Sequence, residues 1–223
     1  MIRRMIVPLL IGLLGGAILI SLGVWQLQRL AWKEAVLAEI EARIADAPVA
    51  LPTKPDPAVD RFLPVIATGR FTGEHLDVLV SRKQIGPGVR VVEVFETADG
   101  RRVLVDRGFV PQDARGAARE SGAATVEGNL HWPDEIDSFT PAPDDATGLW
   151  FARDVVAMAD VLDAEATFIV ARRPTGAAIE PMPVDSSGIP NDHMNYAITW
   201  FSLAAVWLGM TAYLLWRIRQ RTV

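Results

Sequence analysis

Three histidines and no cysteine limit the chemistry open to these 223 residues. Without a thiol there is no disulfide, no thiolate nucleophile and no thiolate metal site, and copper delivery through paired thiolates is excluded. His193 is the histidine with a chemical context. At about 100° per residue, His193, Tyr196, Trp200 and Trp207 fall within a stripe of about 60° on one helix. An imidazole then stands at one end of a ladder of three aromatic rings. That surface suits a flat, apolar, metallated macrocycle with neutral imidazole as axial ligand. The same residues also suit a plainer arrangement, a polar histidine at a membrane boundary above a helix-packing aromatic stripe. His75 and His131 lie in β-rich sequence without a comparable pattern.

Trp25, Arg29 and Trp32, at steps of four and three, share a helix face. A guanidinium between two indoles is able to hold a carboxylate at a membrane surface. The plainer reading is an aromatic belt with a snorkelling arginine. Val105-Asp106-Arg107-Gly108-Phe109-Val110-Pro111 places Asp and Arg inside a strand just ahead of Gly and Pro, the pattern of a structural ion pair near a turn. No nucleophile with a base, no phosphate loop and no carboxylate–histidine cluster stands out, so no catalytic residue is assigned.

The elements that position these residues follow from charge and hydropathy. Residues 5–28 and 194–216 carry no charge, and a helix over the 22 residues 6–27 rises roughly 33 Å, enough to cross a hydrocarbon core. The net charge of −5 is unevenly spread. All 27 acidic residues lie between Glu34 and Asp192; the stretch from Arg29 to Asp192 holds 17 basic residues, a surplus of ten negative charges, and Arg3, Arg4, Arg217, Arg219 and Arg221 flank the two spans. This acidic balance argues against nucleic-acid binding. The arginines after the second span place both chain ends in the cytoplasm by the positive-inside rule, and the acidic middle in a periplasm-like compartment. The expected order is a cytoplasmic N-terminus (1–4), a first transmembrane helix (5–28), a helix and Pro-rich linker (29–60), a β-rich periplasmic domain (61–192), a second transmembrane helix (193–216) and a cytoplasmic tail (217–223).

Gly12, Gly16 and Gly23 share one face of the first helix, and Ala197, Ala204, Ala205 and Ala212 form a small-residue strip on the second. These strips are expected to bring the spans together. Between the spans, a helix is expected over 30–46, and Pro48, Pro52, Pro55 and Pro57 make an extended linker. Strands are expected over 62–71 (an edge strand, given Pro64), 76–80, 89–96, 102–110, 125–131 and 167–171. Asp99-Gly100 predicts a type I′ hairpin turn. Loops are expected over 111–122 and 139–148, and a short helix over 154–163 with Asp154 as its cap. The fold class is α+β, two transmembrane helices flanking one β-rich extracytoplasmic domain.

Four segments, in order, carry a resemblance: Leu22–Lys33 (LGVWQLQRLAWK), Gly69-Arg70-Phe71, Val105–Pro111 (VDRGFVP) and Asn191–Phe201 (NDHMNYAITWF). The chain resembles the Surfeit locus protein 1 family, membrane factors for cytochrome c oxidase biogenesis, over nearly its whole length. Phe109 stands where the family often has Trp, and Asp192 where a second Asn is common. The resemblance implies a non-catalytic assembly role in the cell inner membrane, with haem A bound and passed to the cytochrome oxidase catalytic subunit. It makes His193 the haem-iron ligand, with Trp200 lining the macrocycle beside Tyr196. Arg29, next to Trp25, would then pair with a propionate. The outside domain would dock the oxidase subunit or haem A synthase, membrane lipid would surround the spans, and a haem-free scaffold for an assembly intermediate is the alternative.

Overall fold

The computed structural model describes residues 2–83, 85–144, 146–187 and 189–220, with backbone alone at 2–4. The Arg3 and Arg4 side chains and Arg221, which contribute to the orientation argument, lie outside the described residues, as do Gln84, Asp145 and Gly188. The chain divides into two compact units, Met1–Glu39 with Ser186–Val223, and Ile40–Asp185.

The first unit is built from two helices, both long and apolar enough to cross a membrane. α1 spans Ile2–Ala45 and α3 spans His193–Gln220. At 1.5 Å per residue α1 is about 66 Å long, twice what a bilayer core needs. The expected helix beyond the first span is therefore continuous with it. Pro8 lies in the first turns, where a missing N–H costs little.

The two helices pack through the expected glycines. A Cβ built on Gly12 would lie 2.1 Å from Thr211, one on Gly16 2.6 Å from Leu208, and one on Gly23 2.8 Å from Phe201. Only a bare backbone permits that approach. On α3, Ala197 and Ala204 are buried, but Ala205 and Ala212 are exposed. The alanine strip is thus narrower than expected. The contact face on α3 follows Ala197, Phe201, Ala204, Leu208 and Thr211, at alternating steps of four and three. That spacing keeps a seam facing a partner helix and leaves Ala205 and Ala212 to one side.

The second unit is a closed β structure with one helix against it. Its strands are β1 (Val49–Ala50), β2 (Pro64–Arg82), β3 (Gly86–Thr97), β4 (Arg102–Pro111), β5 (Gly122–Leu130), β6 (Leu149–Trp150) and β7 (Glu165–Ala171). They pair in the order β1-β2-β3-β4-β7-β5, and β5 returns to pair with β2. Strands β2, β3, β4, β7 and β5 therefore form a ring without free edges, as in a barrel. All ring pairings are antiparallel except β4–β7, and the short β1 and β6 each lie parallel to β2.

One apolar cluster draws on all five ring strands and fills the interior: Val65, Ala67 and Phe71 from β2, Phe95 from β3, Val103 and Val105 from β4, Val126 and Leu130 from β5, and Ile169 and Ala171 from β7. The alternate residues Val92, Val94, Leu104, Phe168 and Val170 point outward and are covered by α2 (Val155–Val161) through Val155, Met158 and Ala159. The period of two along each strand thus feeds two cores. Asp154 caps α2 as expected, accepting from the Ala157 amide at 3.1 Å.

Several expectations are revised. Residues 62–71 and 76–80 belong to one long strand, β2, with an irregularity between Phe71 and His75 where Gly73 has φ +89°. Pro64 is the first residue of β2, and it pairs with Asn129. Pro is tolerated at a strand's first position, so it does not mark an edge strand here. The β3–β4 turn is not type I′, which needs positive φ at both central residues. Only Gly100 has positive φ, +83°. Its N–H donates to Thr97 O at 2.9 Å, and Thr97 N–H donates to Arg101 O at 2.8 Å. This is a three-residue loop, a type I turn followed by a left-handed glycine. The Pro-rich linker contributes β1, pairing Val49 and Ala50 with Val65 and Ile66.

Candidate functional site

His193 is the first residue of α3, and its Nδ1 lies 2.8 Å from Oε1 of Gln26 on α1. Gln26 is buried, on the same face of α1 as Gly16 and Gly23. The glycines bring the backbones together, and Gln26 uses that proximity to meet the imidazole. With the amide oxygen on that side, a neutral ring carries its proton on Nδ1 and keeps its lone pair on Nε2. Nε2 makes no hydrogen bond to a described residue. A histidine that ligates a metal almost always donates its other N–H in this way, fixing tautomer and ring orientation.

The aromatic stripe is present but divides by role. Trp200 is half-buried, whereas Tyr196 and Trp207 are more exposed. Trp207 donates from Nε1 to the Gly12 carbonyl oxygen at 3.0 Å. For Trp207 the helix-packing reading therefore holds. Trp207 also borders an apolar groove of about 470 Å³ with Val7, Ile11, Met210 and Leu214. This groove lies some 14 residues along α3 from His193, or about 21 Å.

Arg29 stacks its guanidinium on Trp32, with Cζ 4.3 Å from the ring centroid. Trp25 is half-exposed and takes no part in that contact. The expected cation between two indoles is a cation on one indole. No hydrogen bond joins the guanidinium to another of the described residues.

In the second unit, the Asp106-Arg107 segment is structural. Val91 of β3 faces Gly108, while Val92 faces Asp106, so Arg107 is the extra residue of a bulge. Their separate partners show that the two charges lie on opposite sides of β4. Arg107 is fully buried and pairs with Glu93 at 2.5 Å. It also donates to Glu120 O at 2.9 Å and Thr175 O at 2.7 Å, and its guanidinium lies 4.1 Å over the Phe71 ring. Asp106, equally buried, pairs with Arg90 and, at 3.1 Å, with Arg153. Gly108, at φ +119°, is needed for close approach, because a Cβ there would lie 2.1 Å from Glu180 O. Phe109 and Glu180 exchange both backbone hydrogen bonds. The motif thus pins the returning segment 175–182 to the barrel. Gly69-Arg70-Phe71 works similarly: a Cβ on Gly69 would lie 2.1 Å from Glu96 O, Arg70 pairs with Glu96, and Phe71 packs edge-on against Phe95.

The other histidines differ from His193. His131 stacks on Phe62 at 5.3 Å, its Nδ1 has no partner among the described residues, and burial with Arg153 and Arg61 nearby lowers its pKa to about 4. It stays neutral at physiological pH. His75 is exposed on β2, with Nδ1 2.9 Å from Gly73 O.

Two membrane-length helices flanking a β-rich unit define an α+β membrane protein. A sequence model of the SURF1 family matches residues 13–205, and the chain belongs to that family. It is 30% identical to Surfeit locus protein 1 of Xenopus tropicalis over 211 residues, covering 83% of this chain and 68% of that one. It is 31% identical to a SURF1-like protein of Monosiga brevicollis, over 87% of this chain and 82% of that one. Against the human Surfeit locus protein 1 the identity is 29%, over 83% and 70% respectively. The resemblance read from the four sequence segments is borne out. Gln26 is the site residue that sequence reasoning missed. It lies three residues after Gly23, on the face the glycines had already marked.

Proposed function

We propose that this protein is a non-catalytic assembly factor for a haem–copper terminal oxidase, binding haem A and handing it to the oxidase catalytic subunit. The observation that carries the reading is the His193–Gln26 contact. It presents an oriented imidazole, with Nε2 unengaged by the described residues, at the beginning of a membrane-length helix. A ferric or ferrous porphyrin iron accepts one such nitrogen as axial ligand. Trp200 and Tyr196 follow along the same helix and would offer ring surface to the macrocycle. Arg29, held on Trp32, would pair with a propionate, with Trp25 beside it on α1.

The positions suit a carrier rather than a permanent holder. One imidazole binds haem less firmly than two facing each other across a buried site. A ligand at the end of a membrane helix allows lateral exchange along the bilayer boundary, which avoids moving an apolar macrocycle through water. In this reading both chain ends are cytoplasmic, the barrel unit is periplasmic and the spans cross the cell inner membrane. Haem A synthase is the expected donor.

The test is the absorption spectrum of the protein purified from cells making haem A, with His193→Ala alongside. A Soret band in the parent and its loss in the variant support the reading. Unchanged haem content in the variant would remove His193 as ligand. A haem-free preparation that still co-purifies with oxidase subunits would instead support the scaffold role.

A further inference from the structure

Phe139 is 89% exposed, more than any other large hydrophobic among the described residues, including those on the membrane-length helices. It sits in the second unit on the segment 133–144, beside Ile136, itself 53% exposed. An aromatic ring left this bare on a water-soluble surface carries a hydration cost that a partner would relieve.

Hydrogen bonds fix the backbone from which the ring projects. The Phe139 amide donates to Asp137 Oδ1 at 2.8 Å, the Thr140 hydroxyl donates to Asp137 Oδ1 at 2.9 Å, and the Asp137 amide donates to Thr140 Oγ1 at 3.0 Å. These bonds, the Phe139 amide first, hold the Asp137 carboxyl below the usual range. Upstream, Glu135 receives Arg153 Nε at 3.1 Å, and Arg153 in turn reaches the buried Asp106. The backbone from which the ring projects therefore has little conformational freedom left to lose. Next to it is a mainly apolar cleft of about 280 Å³, lined by Ile136, Pro141, Pro143, Trp150 and Phe151.

Charge selects the occupant. The segment 133–144 carries Asp134, Glu135, Asp137 and Asp144 and no Lys or Arg. Arg153, which borders it, is already shared between Glu135 and Asp106. An anionic lipid surface would be repelled by this rim, and a second copy of the same acidic segment would be repelled too. We propose that Phe139, the adjoining cleft and the acidic rim form a docking site for a partner protein that offers a Lys/Arg-rich segment flanking an apolar pocket. The aromatic ring supplies the buried anchor, and the carboxylates steer the approach and set the register. This proposal does not depend on haem binding.

The experiment places a photoreactive benzoyl-phenylalanine at position 139 of the full-length protein and irradiates native membranes. A second sample carries the same group at Val156, which is exposed on α2. The expected adduct forms from position 139 alone, to a protein whose cross-linked peptide is net basic. Its yield falls roughly tenfold in 0.5 M salt and again in an Asp134→Lys background, since screening and charge reversal remove the attraction. Asp134 has no bond to the turn that shapes the segment, so that variant leaves the turn intact. Adducts only to lipid, only to another copy of this chain, none at all, or a yield indifferent to both salt and charge would each overturn the proposal. Haem content measured on the same preparations reports separately on His193.

Discussion

The helix pair and the barrel unit hold themselves together by different physics. In a membrane, apolar side chains gain nothing by leaving lipid for one another, so α1 and α3 associate through close backbone approach at Gly12, Gly16 and Gly23 and through a few polar contacts. Two such contacts stand out, Trp207 to the Gly12 carbonyl and His193 to Gln26. The barrel unit, in water, gains from burial itself, and it spends part of that gain on enclosing charges. Arg107, Glu93 and Asp106 are essentially inaccessible. The contrast explains why the same residue types mean different things in the two places. His131 in the barrel unit is pushed neutral by burial and by Arg153, with an unpartnered Nδ1. His193 in the helix pair has its Nδ1 satisfied, and its Nε2 has no hydrogen-bond partner among the described residues.

The largest expected break in this contrast is at Arg107. Arg107→Ala strands Glu93 in the barrel and removes the ties to Glu120 and Thr175, so it should cost about 3–5 kcal/mol. Denaturant unfolding of the purified protein would show this as a lowered midpoint. Replacing both partners, Arg107→Met with Glu93→Leu, should cost clearly less, because no charge is then left buried. A single variant no worse than the double would contradict the account of this pair.

A smaller effect is expected in the helix pair. The chain has no native cysteine, so Ile11→Cys with Leu214→Cys, two residues bordering the same groove, joined by a short bis-maleimide, gives a clean reporter of helix contact that leaves the glycines in place. The cross-link should form within one chain. Adding Gly16→Leu, whose side chain meets Leu208, should lower its yield by weakening packing on the order of 1–2 kcal/mol, with the barrel's unfolding midpoint unchanged. Cross-links formed only between chains would show that the strips serve dimerisation instead.

The third effect is absent at pH 7 and appears only on acidification. The ordinary pKa of His131 is 6.5 and the folded value is about 4, so the unfolded chain binds the extra proton first. The stability due to neutral His131 is fully present above pH 6.5 and is lost progressively as pH falls toward 4. A His131→Gln variant should lose less stability between pH 6.5 and 4.5 than the parent does. Equal slopes for the two proteins would mean that His131 is solvated in the folded state.

Much of this architecture was legible in the sequence because it rests on local rules. Uncharged runs marked the helices, glycine spacing marked their contact, and Asp154 marked the start of α2. What escaped depends on distant pairing. Ring closure through β5 and β2 cannot be read from strands separated by some 50 residues, and neither can the fusion of two short apolar stretches into β2 across the irregularity at Gly73. The turn after Thr97 was misread because Asp-Gly also suits a type I turn with a left-handed glycine. At the site, His193 and its ring stripe followed from helical periodicity. Gln26 did not, because its role exists only once α3 lies against α1, and the two residues are 167 positions apart.

The central claim is that His193 ligates haem through Nε2, and a reconstitution titration tests it most directly. Haem A would be added to the parent, to His193→Gly, and to His193→Gly supplemented with free imidazole, with His131→Gln as control. The account predicts saturable binding with a histidine-type spectrum in the parent and the control. It predicts loss of at least tenfold in affinity in His193→Gly, and recovery of the parent spectrum with imidazole, which refills the vacated ligand position. Parent-like affinity and spectrum in His193→Gly without imidazole would contradict it.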